Sequence, residues 1–141
     1  MLEEYRKKRD FSKSPEPQGK TEDAGGVFVI QEHQASHWHH DFRLEREGVL
    51  KSWAVPKGFP EGDEKRLAVP TEDHPLEYAD FEGTIPEGMY GAGTVRTYDR
   101  GKARVKLWDQ NKIEFELEGK KVKGMYVMIK TKMGWLIFRK K

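Results

Sequence analysis

The sequence contains no cysteine. Disulfides and thiolate metal sites are therefore excluded, and any bound metal must use His, Asp, Glu or backbone oxygen as ligands. The sequence also lacks an apolar run close to the roughly 20 residues that a membrane helix needs, and its first residues lack the basic and then apolar order of a signal peptide. We therefore expect a cytoplasmic protein without a membrane partner.

A strong charge of one sign is also missing. The formal net charge is only +2, which is too weak to indicate nucleic-acid binding by itself. Basic residues gather at the two ends, in residues 6–9 and 139–141, but such runs are usually solvated. A length of 141 residues with 4 Trp, 5 Tyr and 7 Phe fits one compact domain with a real core and argues against disorder.

The apolar pattern divides the chain into an irregular arm and an all-β domain. Residues 1–25 are polar and broken by Pro and Gly, with a short helix expected over residues 2–9. From residue 26 onward, short alternating runs separated by turn residues predict about eight or nine antiparallel strands that close into a barrel or split into a sandwich. The predicted strands are residues 27–32, 38–46, 49–55, 66–70, 93–98, 103–108, 112–118, 122–130 and 135–139. Turns are expected at residues 47–48 and 99–101, and long loops at residues 56–65 and 71–91.

A histidine cluster stands where the first two predicted strands meet. On a strand over residues 38–46, His39, Asp41 and Arg43 share one face, and His40 and Phe42 lie on the apolar face. A short reversal before this strand could bring His33, at the end of the preceding strand, beside His39. Two imidazoles and one carboxylate would then converge, which suits Mn, Fe or Zn with open positions for water and substrate. His37 and His40 offer a rival ligand set, but alternation points His40 away from His39.

Cationic side chains near this trio indicate an anionic substrate. Arg43 offers a planar fork that matches phosphate oxygens, and Lys57, Arg66 and His74 could add further charge. A metal, several cations and a histidine are what phosphoester hydrolysis requires. Tyr78 follows His74 by four residues, and its phenol could hydrogen-bond a phosphate or sugar hydroxyl, although core packing explains it equally well.

Five stretches, in order along the chain, closely resemble the phosphoesterase domain of bacterial DNA ligase D. They are VIQEH at residues 29–33, HHDFRLE at 39–45, LKSWAVPKG at 50–58, EDHPLEYADFEG at 72–83 and IPEGMYGAGTV at 85–95. His40 departs from the pattern, since an aromatic such as Tyr is commoner there. The resemblance implies a compact β-barrel with a concave active face and a divalent metal, preferably Mn, with Zn, Co or Cd as substitutes.

The same resemblance implies an activity and a set of site residues. The activity removes a 3'-terminal ribonucleoside to leave a 3'-phosphate, and then removes that phosphate to leave a 3'-hydroxyl, in strand-break repair. By motif, the metal ligands fall on His33, His39 and Asp41. The phosphate-binding and catalytic positions of the family correspond to Arg43, Arg66, His74, Lys57, Glu72 and Tyr78. A motif of the N-terminal arm that supports activity corresponds to Arg9, Asp10, Phe11 and Glu16. Tyr78 is expected to matter chiefly in the diester step.

Two other functions compete with this one. A cupin-like Fe(II) oxygenase would use His39, Asp41 and a distal His74 as a facial triad on a β-barrel. A non-catalytic nucleic-acid-binding barrel would use the basic ends and exposed aromatics such as Trp38 and Trp53, with no metal. For the phosphoesterase we expect 3' ends of DNA or of RNA/DNA primer-templates as substrates, a separate ligase and polymerase as partners, and a monomeric state.

Overall fold

The computed structural model describes residues 2–17 and 26–141, and these residues are mostly β-strand. The strands are β1 (Val27–Gln34), β2 (Trp38–Arg46), β3 (Val49–Val55), β4 (Arg66–His74), β5 (Gly83–Ile85), β6 (Gly93–Trp108), β7 (Lys112–Glu118), β8 (Lys123–Thr131) and β9 (Gly134–Arg139). One short helix, α1 (Glu3–Lys7), precedes them, and a 3-10 helix (Leu76–Asp80) follows β4. Among the described residues, neither helix has the length and apolar character to cross a membrane.

The strands form a closed antiparallel barrel, which confirms the predicted fold class. Eight strands follow one another in the order β1-β2-β3-β4-β9-β8-β7-β6, and pairing of β6 with β1 closes the ring. The short β5 is an extra strand on the first residues of β6. Closure leaves the eight barrel strands without a free edge along the ring, which removes the risk of edge-to-edge association.

Side-chain alternation gives the first four strands an inner and an outer face. Inward-facing residues such as Phe28, Phe42 and Trp53 form the barrel core together with residues of β6 to β9. The outer faces of β1 and β3 carry Val29 and Leu50, which belong to a second apolar cluster with the arm and with the segment after β4. The arm and this segment therefore cover the outer face of β1–β4, and the functional site lies there.

Two predicted strands are one strand in the structure. The expected turn at residues 99–101 is wrong, because β6 runs through it and pairs Arg100 with Val29 of β1. The Asp99 carboxylate accepts backbone N–H groups from residues 120–122 at 2.7 to 2.9 Å. Asp99 therefore ties the β7–β8 turn to β6, a tertiary role that a local Asp-Arg-Gly pattern does not reveal.

The second predicted long loop contains regular structure. β4 continues to His74 and is followed by the 3-10 helix and β5, so much of residues 71–91 is ordered by pairing. The register between β3 and β4 shifts between Leu50 and Ser52, since Leu50 pairs with His74 and Ser52 pairs with Thr71. This β-bulge places an extra residue in β4 and changes which side chains face outward beyond Thr71.

The predicted turn at residues 47–48 is confirmed. Glu47 and Gly48 have φ values of 56° and 81° and connect the directly paired residues Arg46 and Val49. Two successive positive φ values are typical of the two-residue hairpin turn whose twist matches that of the strands. At the N-terminus, the expected helix over residues 2–9 is present over Glu3–Lys7. Of the predicted arm, residues 1 and 18–25 lie outside the described residues.

Candidate active site

A cavity of about 290 Å³ lies on the outer face of β1–β4, and the arm and the segment before β6 contribute to its walls. Its floor comes from side chains that alternate outward on β1 and β2, and its walls come from β4, the 3-10 helix and the two covering segments. The ionisable side chains that line it are Arg9, Glu16, His33, His39, Asp41, Arg43, Glu72, His74, Tyr78 and Tyr90.

The structure brings His33, His39 and Asp41 together at one end of this cavity. Antiparallel pairing sets His33 directly opposite His39, and Asp41 follows on the same face of β2. His33 Nδ1 lies 3.4 Å from Asp41 Oδ2, and His39 Nε2 lies 3.2 Å from Asp41 Oδ1. One ligand atom from each residue falls within 4.8 Å of the other two, so the trio fits a single metal ion with open positions.

The second nitrogen of each imidazole is held by a backbone carbonyl. His33 Nε2 lies 2.9 Å from the carbonyl oxygen of Gly91, and His39 Nδ1 lies 3.1 Å from that of His37. A carbonyl can only accept, so these nitrogens carry hydrogen, and the opposite nitrogens are the ones that face Asp41. Such outer contacts are typical of metal-ligating histidines because they fix ring orientation and tautomer.

The charges around Asp41 favour its ionised form. Burial alone would raise the pKa of the Asp41 carboxyl, but hydrogen bonds from His33 and His39 and the charge of Arg43 outweigh burial and hold that pKa far below its ordinary value. The hydrogen bond to Asp41 is also the main reason that the pKa of His39 is raised. The nitrogens that face Asp41 thus stand where hydrogen bonds to the carboxylate, or a divalent cation in their place, would lie.

Arg43 is buried with its guanidinium in a defined orientation. Its Nε donates to the side-chain oxygen of Gln31 at 2.7 Å, and its Cζ lies 4.7 Å from the centre of the Tyr78 ring. Nη2 lies 3.6 Å from Asp41 Oδ2, and Nη1 lies 3.1 Å from His74 Nδ1. The guanidinium therefore stands between His74 and the trio of His33, His39 and Asp41, where it can bind an anion.

His74 is a buried, neutral histidine between two arginines. Burial, together with the charges of Arg43 and Arg9, holds the pKa of His74 well below its ordinary value of 6.5. Nδ1 lies 2.9 Å from the carbonyl oxygen of Glu72, and Nε2 lies 3.3 Å from Arg9 Nη2. Because Nδ1 donates to the Glu72 carbonyl, the neutral ring carries its lone pair on Nε2, which faces Arg9 and the cavity.

The arm is part of the site, through Arg9 and Glu16. Glu16 Oε2 accepts from Arg9 Nε at 2.8 Å and from the hydroxyl of Tyr78 at 2.8 Å. Tyr5, fully buried, packs against the rings of His74 and Tyr78 at centroid distances of 5.0 and 6.0 Å. Burial raises the pKa of Tyr78 well above its ordinary value, and Glu16 acts in the same direction, so the phenol stays protonated at neutral pH.

Glu72 links the arm to β4. Its Oε1 lies 3.1 Å from Arg9 Nη2, and its Oε2 lies 3.3 Å from Lys8 Nζ. Burial alone would raise the pKa of Glu72, but a hydrogen bond to its own backbone amide and the charges of Arg9 and Lys8 lower that pKa. An ionised Glu72 balances part of the positive charge that the arginines bring to the cavity.

Three predicted site residues do not line the cavity. Arg66 precedes the β-bulge of β4 and shares the face of Ala68, which belongs to the barrel core, so alternation turns it away from Arg43. Lys57 is exposed in the turn after β3. Asp10 is exposed as well, and it accepts from the backbone N–H of Ser12 at 3.1 Å within the arm. The roles predicted for these residues stay predictions.

The sequence patterns missed three residues that contact the site. Gln31 is fully buried and orients Arg43, and Ser52 Oγ lies 3.3 Å from His74 Nδ1. Gln31 carried a readable signal, because it is the polar member of an apolar run and shares the alternation face of His33. Tyr90, at the cavity mouth, carried none, since it lies in a Gly-rich segment between β5 and β6.

We expect His74 to make the metal-free protein less stable in mild acid. The pKa of His74 is lower in the folded state than in the unfolded state, so its contribution to stability is fully present above about pH 6.5 and is lost as the pH falls below that value. Thermal unfolding in the presence of a chelator, at pH 7.5 and pH 5.5, checks this expectation. The loss of Tm between the two pH values should be smaller in His74→Gln than in the exposed-site control His37→Gln; equal losses would contradict it.

Known proteins resemble this chain over most of its length. The sequence model described as the DNA Ligase D 3'-phosphoesterase domain matches residues 31–130. The chain is 50% identical to the multifunctional non-homologous end joining protein LigD of Pseudomonas aeruginosa over an alignment of 143 positions, which covers 94% of this chain and 17% of that protein. It is 46% identical to the protein of the same name from Mycolicibacterium smegmatis over an alignment of 156 positions, which covers 99% of this chain and 20% of that protein.

These relatives are much longer than this chain, which spans at most 20% of their length. The matched region includes His33, His39, Asp41 and Arg43, which lie together in the cavity. With a match over residues 31–130 and a closed barrel that carries this site, the chain belongs to the family of DNA ligase D 3'-phosphoesterase domains.

Proposed function

We propose that the chain is a metal-dependent phosphoesterase that acts on 3' ends of nucleic acids. It removes a 3'-terminal ribonucleoside to leave a 3'-phosphate and then hydrolyses that phosphate to leave a 3'-hydroxyl. The observation that carries the proposal is the convergence of His33, His39 and Asp41 beside the buried guanidinium of Arg43. Membership of the family supports the same reaction class.

We propose His33 Nδ1, His39 Nε2 and one oxygen of Asp41 as ligands of a divalent metal, with Mn preferred and Zn, Co or Cd as substitutes. The fit rests on the donor set and on the two carbonyl contacts that point the free nitrogens at Asp41. Imidazole with carboxylate suits these metals and leaves coordination positions open. When bound, such an ion supplies a Lewis acid for a phosphoryl oxygen and lowers the pKa of coordinated water.

The protein's own groups then hold the phosphate and disperse its charge. Arg43 is oriented by Gln31 on one side and by the Tyr78 ring on another, so its Nη atoms stay directed at the space between Asp41 and His74. Arg9, from the arm, directs Nη2 at His74 Nε2. Two fixed guanidinium groups favour the transition state because they stabilise developing charge without reorganising. In the monoester step water adds to phosphorus, the bond to O3' breaks, and that oxygen takes up a proton.

We propose that Tyr78 acts in the diester step through its hydroxyl. That hydroxyl now donates to Glu16 at 2.8 Å and lines the cavity, so a ribose hydroxyl could replace or extend this contact. The first step is expected to need a neighbouring 2'-hydroxyl, and a protonated phenol within the cavity is suited to bind it. Lys57, Arg66 and Glu72 stay predicted contributors to catalysis; Glu72 acts in the described structure as a partner of Arg9.

DNA ends are the proposed substrates, and charge distribution supports them. Residues 100–141 contain 13 Lys and Arg against 4 Asp and Glu, so the half of the barrel built from the end of β6 through β9 is basic although the whole chain is nearly neutral. Positive charge concentrated in one part of the chain attracts the phosphate backbone. The relatives' names refer to non-homologous end joining, and we propose that a ligase and a polymerase act on the healed end. A monomeric, cytoplasmic enzyme stays our prediction.

The contacts disfavour both competing functions. In an oxygenase triad His74 would be a ligand, but its nitrogens contact Glu72, Arg43 and Arg9, and His33 completes the trio in its place. A non-catalytic barrel would need exposed aromatics. Trp38 is 38% exposed, but Trp53 is 4% exposed within the core and cannot stack on a nucleobase. Such a barrel also leaves the convergence of His33, His39 and Asp41 unexplained.

A labelled primer tests the proposed function. A 5'-labelled DNA primer that ends in one ribonucleotide, annealed to a template, is incubated with the protein and Mn²⁺, and the products are resolved by length and by 3' group. We expect a shortened species with a 3'-phosphate that converts to a 3'-hydroxyl, and no conversion in the presence of a chelator. An unchanged primer, or a reaction that a chelator leaves intact, would overturn the proposal.

A further inference from the structure

We propose that Tyr90 is the stacking platform for the terminal nucleobase, and thus the residue that lets the site prefer a complete nucleoside over a bare sugar phosphate. The inference rests on the proposed function and deepens it. Tyr90 lines the cavity, yet it is 47% exposed, which is unusual for a large aromatic side chain beside a cluster of buried charges.

The position of Tyr90 is tied to the metal trio through one peptide unit. Its neighbour Gly91 accepts from His33 Nε2 at 2.9 Å, so the backbone carrying the ring is fastened to a proposed metal ligand. Gly91 has a φ of 77°, which a side chain would strain. Tyr90 therefore lies close to the proposed phosphate position, since it is the next residue to Gly91 and lines the same cavity as the trio.

Two cations lie close to the ring. Lys8 Nζ lies 4.6 Å and Arg9 Cζ lies 5.4 Å from the ring centre. The hydroxyl lies 3.3 Å from Lys8 Nζ and 3.4 Å from Glu72 Oε2, which holds the ring in one orientation. An aromatic ring that is fixed in this way, with nearly half of its residue surface open, gives a base a preorganised partner at little entropic cost.

A second role for Tyr90 must be separated from stacking. The same contacts fasten Lys8 and Arg9 to the cavity, so Tyr90 could act only by keeping the arm in place. The two roles differ in what they depend on. Stacking needs a nucleobase on the substrate and only the ring on the enzyme, whereas arm positioning affects every substrate and uses the hydroxyl contacts as well.

Two variants and two substrates distinguish these roles. The variants are Tyr90→Leu, which removes the ring, and Tyr90→Phe, which keeps the ring without the hydroxyl. One primer ends in a ribonucleoside, and the matched primer ends in 1,4-anhydroribitol, which keeps the 2'-hydroxyl and lacks the base. Each enzyme is assayed with Mn²⁺ for kcat/KM of terminal nucleoside or sugar release on both primers.

We expect Tyr90→Leu to lower kcat/KM on the ribonucleoside primer on the order of tenfold to 100-fold, from the usual loss when a base-stacking ring is removed. On the base-free primer the same variant should stay within about twofold of the wild type. Tyr90→Phe keeps the ring and loses only the hydroxyl contacts that orient it, so it should lose much less than Tyr90→Leu on the ribonucleoside primer. Equal losses on the two primers would overturn the stacking role and assign Tyr90 to the arm. A wild type that cleaves neither primer would instead overturn the proposed function.

Discussion

Asp41→Asn is expected to abolish the phosphoesterase reaction with the barrel intact. The substitution keeps the size of the side chain but removes the negative charge on which His33 and His39 converge. Loss of outer contacts to metal ligands alone costs about 10- to 100-fold, so loss of a ligand's charge should lower kcat/KM by at least about 100-fold. Primer turnover in Mn²⁺ measures the activity, and calorimetric titration with Mn²⁺ measures the binding.

Asp109→Asn is the matched control for this prediction. Asp109 is exposed in the β6–β7 turn, where it accepts from the backbone N–H of Asn111 at 2.8 Å. The control should keep wild-type Mn²⁺ binding and turnover, and both variants should show the far-UV spectrum of a folded β-protein. An Asp41→Asn enzyme that binds Mn²⁺ and turns over like the wild type would remove the basis of the proposed metal site.

Arg43→Lys should lower kcat/KM on the order of 100- to 1,000-fold, although the charge is kept. The guanidinium reaches Gln31, Asp41 and His74 from one buried position. A lysine ammonium is a point charge and cannot keep the Gln31 contact while it presents two further donors toward a phosphate. Mn²⁺ binding should stay close to wild type, because Arg43 is not among the proposed ligands, and this separates the defect from that of Asp41→Asn.

The same substitution at Arg104 is the control. Arg104 is exposed on β6 and pairs with Glu116 at 3.3 Å, an arrangement of little energetic consequence. Arg104→Lys should therefore match the wild type in turnover on a short primer. If Arg43→Lys were as active as Arg104→Lys, the fixed fork of Arg43 would play no part in binding the phosphate, and the charge alone would suffice.

Sequence patterns predicted the centre of the candidate site because short-range geometry governs it. Alternation on β2 puts His39, Asp41 and Arg43 on one face whatever the rest of the chain does. The short reversal after His33 then allows direct pairing with His39, which the structure contains. The same reasoning failed at residues 99–101, where a typical turn sequence lies inside β6 because pairing with β1 and the contacts of Asp99 prevail.

The site residues on β4 and in the arm could not be placed from sequence patterns, because their positions depend on segments that are distant in the sequence. The bulge between β3 and β4 turns Glu72 and His74 toward Arg43, whereas Arg66, before the bulge, shares the core-facing side of Ala68. Simple alternation along β4 cannot reveal such a change of face. Arg9 and Glu16 reached the predicted site only through a family resemblance, since nothing in an irregular arm indicates where it packs.

By itself, then, the sequence determined an all-β domain and the trio of His33, His39 and Asp41, because strand alternation and hairpin pairing act over a few residues. Only the tertiary structure decided that Arg9 and Glu16 enter the cavity, that Arg66 does not line it, and that Tyr90 stands at its mouth. Those positions depend on barrel closure, on one β-bulge and on the packing of two covering segments, which are long-range interactions with no local signature.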